Sequence, residues 1–146
     1  MISDLIKIYE RDLDRLKLEI ELFSDEKKLW SPAGNVKNSA GNLALHLVGN
    51  LKTYVGKNLG KVSYVRDREA EFSLKDVPKE SLIQQVEETK AVVLSSLEKM
   101  DAKDLGSIYP ENVFGYEMTN GFFLLHLAAH LSYHLGQINY IRRILE

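Results

Sequence analysis

The sequence predicts an all-α protein made of four helical blocks. Three observations carry that reading: apolar residues return every three or four positions along four long stretches, polar irregular segments interrupt them, and the last stretch is apolar on nearly every side. With 146 residues, 45% of them apolar, the chain can bury one good core, so a single domain over residues 1–146 is expected.

In the first block Leu5, Ile8, Tyr9, Asp12, Leu13, Leu16, Ile20 and Phe23 share one face, interrupted once by the acid, while Lys and Glu fill the other. WSPAGNVKNSAGN breaks the pattern, with Trp30 expected as an apolar plug over the end of the first helix. Asn38 or Ser39 is placed to cap a second helix from about Ala40 to Leu59. From Gly60 to Lys75 no helical period is visible and charges alternate, which predicts a compact, exposed connection. A third helix starts near Pro78, lays Leu82, Val86, Thr89, Val93, Leu94 and Leu97 on one stripe, and fades near Met100. After DAKDLGSIYPENVFGYEM, Thr119 or Asn120 can cap a fourth helix that continues to the C-terminus, with Arg142 and Arg143 in its last turns, where the helix dipole favours cations. Phe122, Leu125 and Ala129 lie among the histidines of this helix, and Phe123, Leu124, Leu127, Leu131, Leu135 and Ile138 cover much of the remainder. Such a helix needs cover from its own bundle or from a second copy, so a homodimer is expected.

Composition narrows the function. The 19 basic and 21 acidic residues nearly cancel, so no broad basic surface for a nucleic-acid backbone is implied. No cysteine is present, which excludes disulfides, thiolate ligands and a thiol nucleophile carried by the protein itself. The N-terminal stretch carries acids among its apolar residues and no small-residue cleavage site, and no apolar run reaches the ~18 residues of a membrane span, so a soluble cytoplasmic protein is expected.

Three of the four histidines, His126, His130 and His134, stand four apart in FFLLHLAAHLSYHLGQI. Four residues turn a helix by ~400°, so one face can present two or three of these rings. The fourth, His46, sits in NLALHLVGNL, where Leu43, Leu47, Leu51, Tyr54 and Val55 mark the core face. A pair of histidines four apart is a two-ligand clamp, and a third histidine from another helix would complete a site with positions left for water or substrate. The competing reading is a set of core histidines hydrogen-bonded to their neighbours. HExxH and ExxH pairs are absent, and GKNLGK lacks the length and the Ser/Thr of a phosphate-binding loop.

NSAGNLALHLVGN, YVRDREAEF and LLHLAAHLSYHLGQI, in this order and spacing, resemble the DinB/YfiT-like superfamily over nearly the whole chain. The resemblance implies a four-helix bundle of up-down-down-up order, a long crossover between the second and third helices, and homodimers. It implies a metal triad of His46, His130 and His134. Three imidazoles suit zinc or nickel first, with iron or manganese next. His126 falls outside the triad and is expected to be a packed core histidine. Leu135 stands where members of the family often carry arginine. Gln137 and Asn50 are spaced to orient ligands from outside, with ordinary polar packing as the alternative. Arg66 and Arg68 are expected to pair internally with residues such as Asp67, Glu69 and Glu71, ahead of a role in clamping an anionic substrate. Characterised relatives include mycothiol-dependent maleylpyruvate isomerase and bacillithiol transferases. By that similarity the expected activity is a metal-dependent transferase or isomerase using a low-molecular-weight thiol on a small-molecule substrate. A metal-dependent hydrolase, with a loop carboxylate such as Glu117 as base, and a non-catalytic metal-binding dimer are the alternatives.

Overall fold

Two hydroxyl side chains set the frame. Ser39 accepts a hydrogen bond from the Asn42 backbone at 3.1 Å and Thr119 one from Phe122 at 3.1 Å, each meeting an otherwise unpaired N–H at the start of a helix. The computed structural model describes residues 1–146 and holds six α-helices. These are α1 (Ile2–Leu22), α2 (Ala40–Leu51), α3 (Arg68–Ser73), α4 (Lys79–Glu98), α5 (Ala102–Gly106) and α6 (Asn120–Leu145). The only β pairing is one antiparallel bridge between Ile108 and Thr119.

α1 buries the stripe its spacing predicts, except that Ile8 is only half-buried. Each fully buried leucine on it contributes about 1.5–3 kcal/mol of transfer free energy. Asp12, within the stripe, is buried against Arg11 Nε at 2.8 Å. Tyr9 is fully buried and its hydroxyl donates to the Leu124 carbonyl at 2.6 Å, which ties α1 to α6. Arg142, near the end of α6, pairs with Glu19 of α1 at 2.7 Å.

All residues of α2 are buried, because α3, α4, α6 and the 3-10 turn at Glu26–Trp30 cover it from every side. Trp30 is buried, but it plugs the start of α2 and not only the end of α1: a Cβ on Gly41 would stand 2.7 Å from its ring. The α-helix expected to reach Leu59 stops at Leu51 and continues as a π-turn over Lys52–Lys57, with Asn58 N–H on the Thr53 carbonyl at 3.1 Å and Gly60 N–H on Val55 at 2.9 Å. In this wider turn Gly56 packs against Val92 of α4, where a Cβ would come within 2.6 Å.

The segment predicted as non-helical contains α3. Six residues are too few to show a period, and the helix holds because of its surroundings. The Asp67 side chain caps its start, and Asn42 of α2 donates to the carbonyls of Glu71 at 3.0 Å and Leu74 at 2.8 Å at its end. α4 begins after Pro78 as expected and buries Leu82, Val86, Thr89, Val93 and Leu97, with Leu94 half-buried. α5, also in a segment read as loop, is started by a capping box between Asp101 and Asp104. The long helices pack so that α1 and α2 each touch both α4 and α6. Along α6 the bundle covers Phe123, Leu124, Leu127, Leu131, Leu135 and Ile138, while Phe122, Leu125, Tyr133, Tyr140 and Ile144 are exposed.

Candidate metal centre

One imidazole comes from α2 and two from α6. His46 sits in the buried middle of α2, and His130 and His134, four residues apart, project toward it. His130 Nε2 is 3.2 Å from His46 Nε2 and 3.1 Å from His134 Nε2. One ring nitrogen from each residue lies within 4.8 Å of the others.

The outer nitrogens decide what the inner ones offer. His46 Nδ1–H donates to Glu71 Oε1 at 3.1 Å, and His134 Nδ1–H donates to Gln137 Oε1 at 2.7 Å. With the protons there, the Nε2 atoms of His46 and His134 present lone pairs. His130 has one proton to give, so at most one of its two short N···N approaches is a hydrogen bond and the other sets lone pair against lone pair. Its Nδ1 is buried without any partner. A divalent cation resolves this by accepting all three lone pairs. Two nitrogens about 2.0–2.1 Å from one ion at a tetrahedral angle are about 3.3 Å apart, close to the two separations that His130 makes with His46 and His134. The residues therefore fit a metal ion.

Protonation does not oppose it. Burial, reinforced by His134 and His46, pushes His130 down to about 4. Burial also lowers His134, against the raising effect of its hydrogen bond to Gln137. Both rings are neutral at pH 7, which is the form that ligates.

Sequence reasoning missed the role of Glu71. α3 carries it into the protein, where it is 6% exposed and accepts Arg66 Nε at 2.8 Å and Nη2 at 3.0 Å as a fork on its two oxygens. Burial alone would raise its pKa, but hydrogen bonds from His46 and Arg66 and the charge of Arg66 hold it below the ordinary carboxylate value. It remains an anion that fixes the His46 tautomer. The one sequence signal was an aromatic residue in a charged run: Phe72 packs against the His46 ring, tilted by 35°, with the ring centres 4.9 Å apart.

Gln137 orients a candidate ligand as its spacing allowed. Asn50 does not: its Oδ1 is buried with no hydrogen-bond partner. The expectation of a packed core for His126 is wrong. Its side chain is exposed, edge-on to Phe114 at 4.8 Å and 6.4 Å from the His130 ring, because each four-residue step turns the face by about 40° and position 126 lies one step before His130 and two before His134. Arg66 pairs internally as expected, whereas Arg68 is exposed, has no acidic partner, and lies over the Phe72 ring at 5.4 Å. Glu117 is exposed in the wall of a separate cavity with Tyr109 and Asn112, which includes none of the triad. Leu135 is buried.

A cavity of about 260 Å³ adjoins the triad, with His46 and His130 in its wall beside Asn50, Tyr54, Arg66 and Phe123. A larger cavity, about 760 Å³, lies at Glu26, Trp30 and Lys75 and includes none of the four histidines.

The sequence model of the DinB superfamily matches residues 8–138. The fold is similar to the crystal structure of a DinB-like protein from Bacillus cereus ATCC 10987, at 19% identity and a TM-score of 0.74, covering 97% of this chain and 90% of that one. No curated protein matches the sequence. No helix is long and apolar enough to cross a membrane. A match over residues 8–138 takes in the helix that carries His46, the crossover that carries Glu71 and the helix that carries His130 and His134, and the chain belongs to the DinB superfamily.

Proposed function

We propose that this protein holds a divalent metal at His46, His130 and His134 and uses it, with an external low-molecular-weight thiol, to transfer sulfur to or isomerise a small electrophilic substrate. The observation that carries the reading is the meeting of three Nε2 atoms, two of them with lone pairs fixed by Glu71 and Gln137, at the wall of an open cavity. Zinc or nickel suits three imidazoles first, with iron or manganese next. When bound, the ion supplies positive charge that lowers the pKa of a thiol beside it. Glu71 and Gln137 hold the rings in place, and Phe123 and Leu127 line the cavity with apolar surface that excludes water. The chain has no thiol of its own to compete with the external one.

With this reading go one domain over residues 1–146, a four-helix bundle of up-down-down-up order, and a homodimer formed through the outer face of α6. Phe122, Leu125, Tyr133, Tyr140 and Ile144 are exposed along that helix. An apolar stripe of this length favours association.

The test is metal analysis of the purified protein followed by turnover of a chromogenic electrophile with a panel of small thiols, beside simple esters without thiol. Thiol-dependent turnover lost in His130→Ala supports the proposal. Ester turnover without thiol replaces it with a hydrolase, and tight metal binding with no turnover leaves a binding protein. Against the hydrolase, Glu71 is engaged on both oxygens and Glu117 lies elsewhere, so no free carboxylate stands ready as a base.

A further inference from the structure

We infer that the cavity beside the triad takes a small molecule bearing a carboxylate, bound by Arg68, with its apolar part against Phe114 and Phe123. This names the ligand class of the site proposed above and rests on that reading for its place beside the reactive centre, but the part played by Arg68 needs no ion.

The first reason is the sign of the wall. Arg66 and Arg68 are the only Lys or Arg in the cavity lining, and no Asp or Glu lines it. Glu71, the nearest acid, is turned onto His46 and Arg66. The charge of Arg66 is thus already matched, and that of Arg68 is not. A bare guanidinium in a wall without acids favours an anion and disfavours an amine.

The second reason is position. The Arg68 guanidinium lies 5.4 Å over the Phe72 ring, and Phe72 lies 4.9 Å from the His46 ring. The two contacts place a planar fork, suited to two carboxylate oxygens, one ring away from the triad. The third reason is an unsatisfied group. Asn50 is 6% exposed, lines the same cavity, and its Oδ1 has no partner, a cost of about 1–3 kcal/mol that a ligand hydroxyl or N–H would relieve. His126 and Phe114 stand together in the same wall, one polar and one apolar. At about 260 Å³ the space lies just under the ~300–1,000 Å³ of common ligand sites, so it admits a small acid or only the acidic end of a larger molecule.

The test compares phenylacetate with phenylacetamide and phenethylamine, and thioglycolate with mercaptoethanol, by calorimetry. It uses the wild type, Arg68→Gln and Arg68→Lys, each stripped of metal with a chelator and each loaded with zinc. Phenylacetate is expected to bind the stripped wild type roughly ten- to a hundredfold tighter than the amide, with the amine weakest. Arg68→Gln should erase the preference, and Arg68→Lys should keep part of it, since ammonium holds the charge but not the fork. Both variants should melt with the wild type, because Arg68 is exposed. A preference for thioglycolate that Arg68→Gln erases assigns the carboxylate to the thiol. A preference confined to the phenyl series assigns it to the electrophile. Equal binding of acid and amide, or a preference that survives Arg68→Gln, overturns the inference. Zinc uptake measured on the same samples separates the two readings: preference without uptake removes the metal proposal alone, and uptake without preference removes this one alone.

Discussion

Gly49 of α2 and Glu71 of α3 share one space: a Cβ on the glycine would stand 2.6 Å from the Glu71 carboxyl carbon and 3.3 Å from Arg66 Nε. Glu71 cannot step aside without leaving His46 and Arg66. Gly49→Ala gains about 1 kcal/mol in helix propensity and loses about 1–3 kcal/mol to overpacking, so stability should fall slightly. Zinc affinity should fall with it. A melting curve and a chelator competition check both, and wild-type affinity in this variant would show that the carboxylate does not support His46.

Alanine at His46, His130 or His134 should each weaken zinc binding by more than the roughly 10–100-fold typical of losing an outer partner. His126→Ala should leave it near the wild-type value, because that ring lies against Phe114 and is not among the three whose nitrogens meet. Competition with a chromogenic chelator distinguishes the four variants, and full retention in His46→Ala would refute the triad.

Removing the outer partners should cost less than removing a ligand. Glu71→Gln and Gln137→Leu are expected to lower zinc affinity roughly 10–100-fold each. Because the two imidazoles lie 5.3 Å apart and would hold the same ion, their effects in the double variant should depart from simple addition. Affinity measured across this cycle decides it.

Sedimentation at micromolar concentration should find a dimer. Tyr133→Glu, a charge in the exposed stripe of α6, should shift it to monomer without altering the helical circular dichroism spectrum. A wild-type monomer would remove the interface.

Tyr9→Phe should lower stability by about 0.5–1.5 kcal/mol, since it removes the 2.6 Å hydrogen bond to the Leu124 carbonyl, which keeps its bond within α6. In a chain of this size each kcal/mol corresponds to roughly 2–4 °C of melting temperature. A thermal melt of the metal-free protein measures it.

What was legible in the sequence followed from local physics. α1 and α4 each bury one side, so their spacing marked the core, and the caps Ser39 and Thr119 act within their own turn. α3 was illegible because its stability comes from Asn42, far away in sequence, and the π-turn because it is bound up with packing on Val92. Spacing brought two helices' histidines toward each other, and the family resemblance chose among them. His126 was misplaced because α6 carries Phe122, Leu125 and Ala129 on its outer side, where apolar neighbours look like core. Glu71 lay hidden among other acids until α3 turned it inward.

The groups that meet at His46 come from very different distances along the chain. Glu71 is 25 positions away and His130 is 84. Closing the longer loop costs about 1 kcal/mol more in chain entropy than closing the shorter. During folding the crossover can therefore settle on α2 and preset the tautomer of His46 before the last helix docks. The second and third imidazoles arrive only with that docking. If the triad takes up zinc as proposed, the rate at which a refolding chain first captures it would be a clock for the final step of assembly, separate from the growth of helical signal that precedes it.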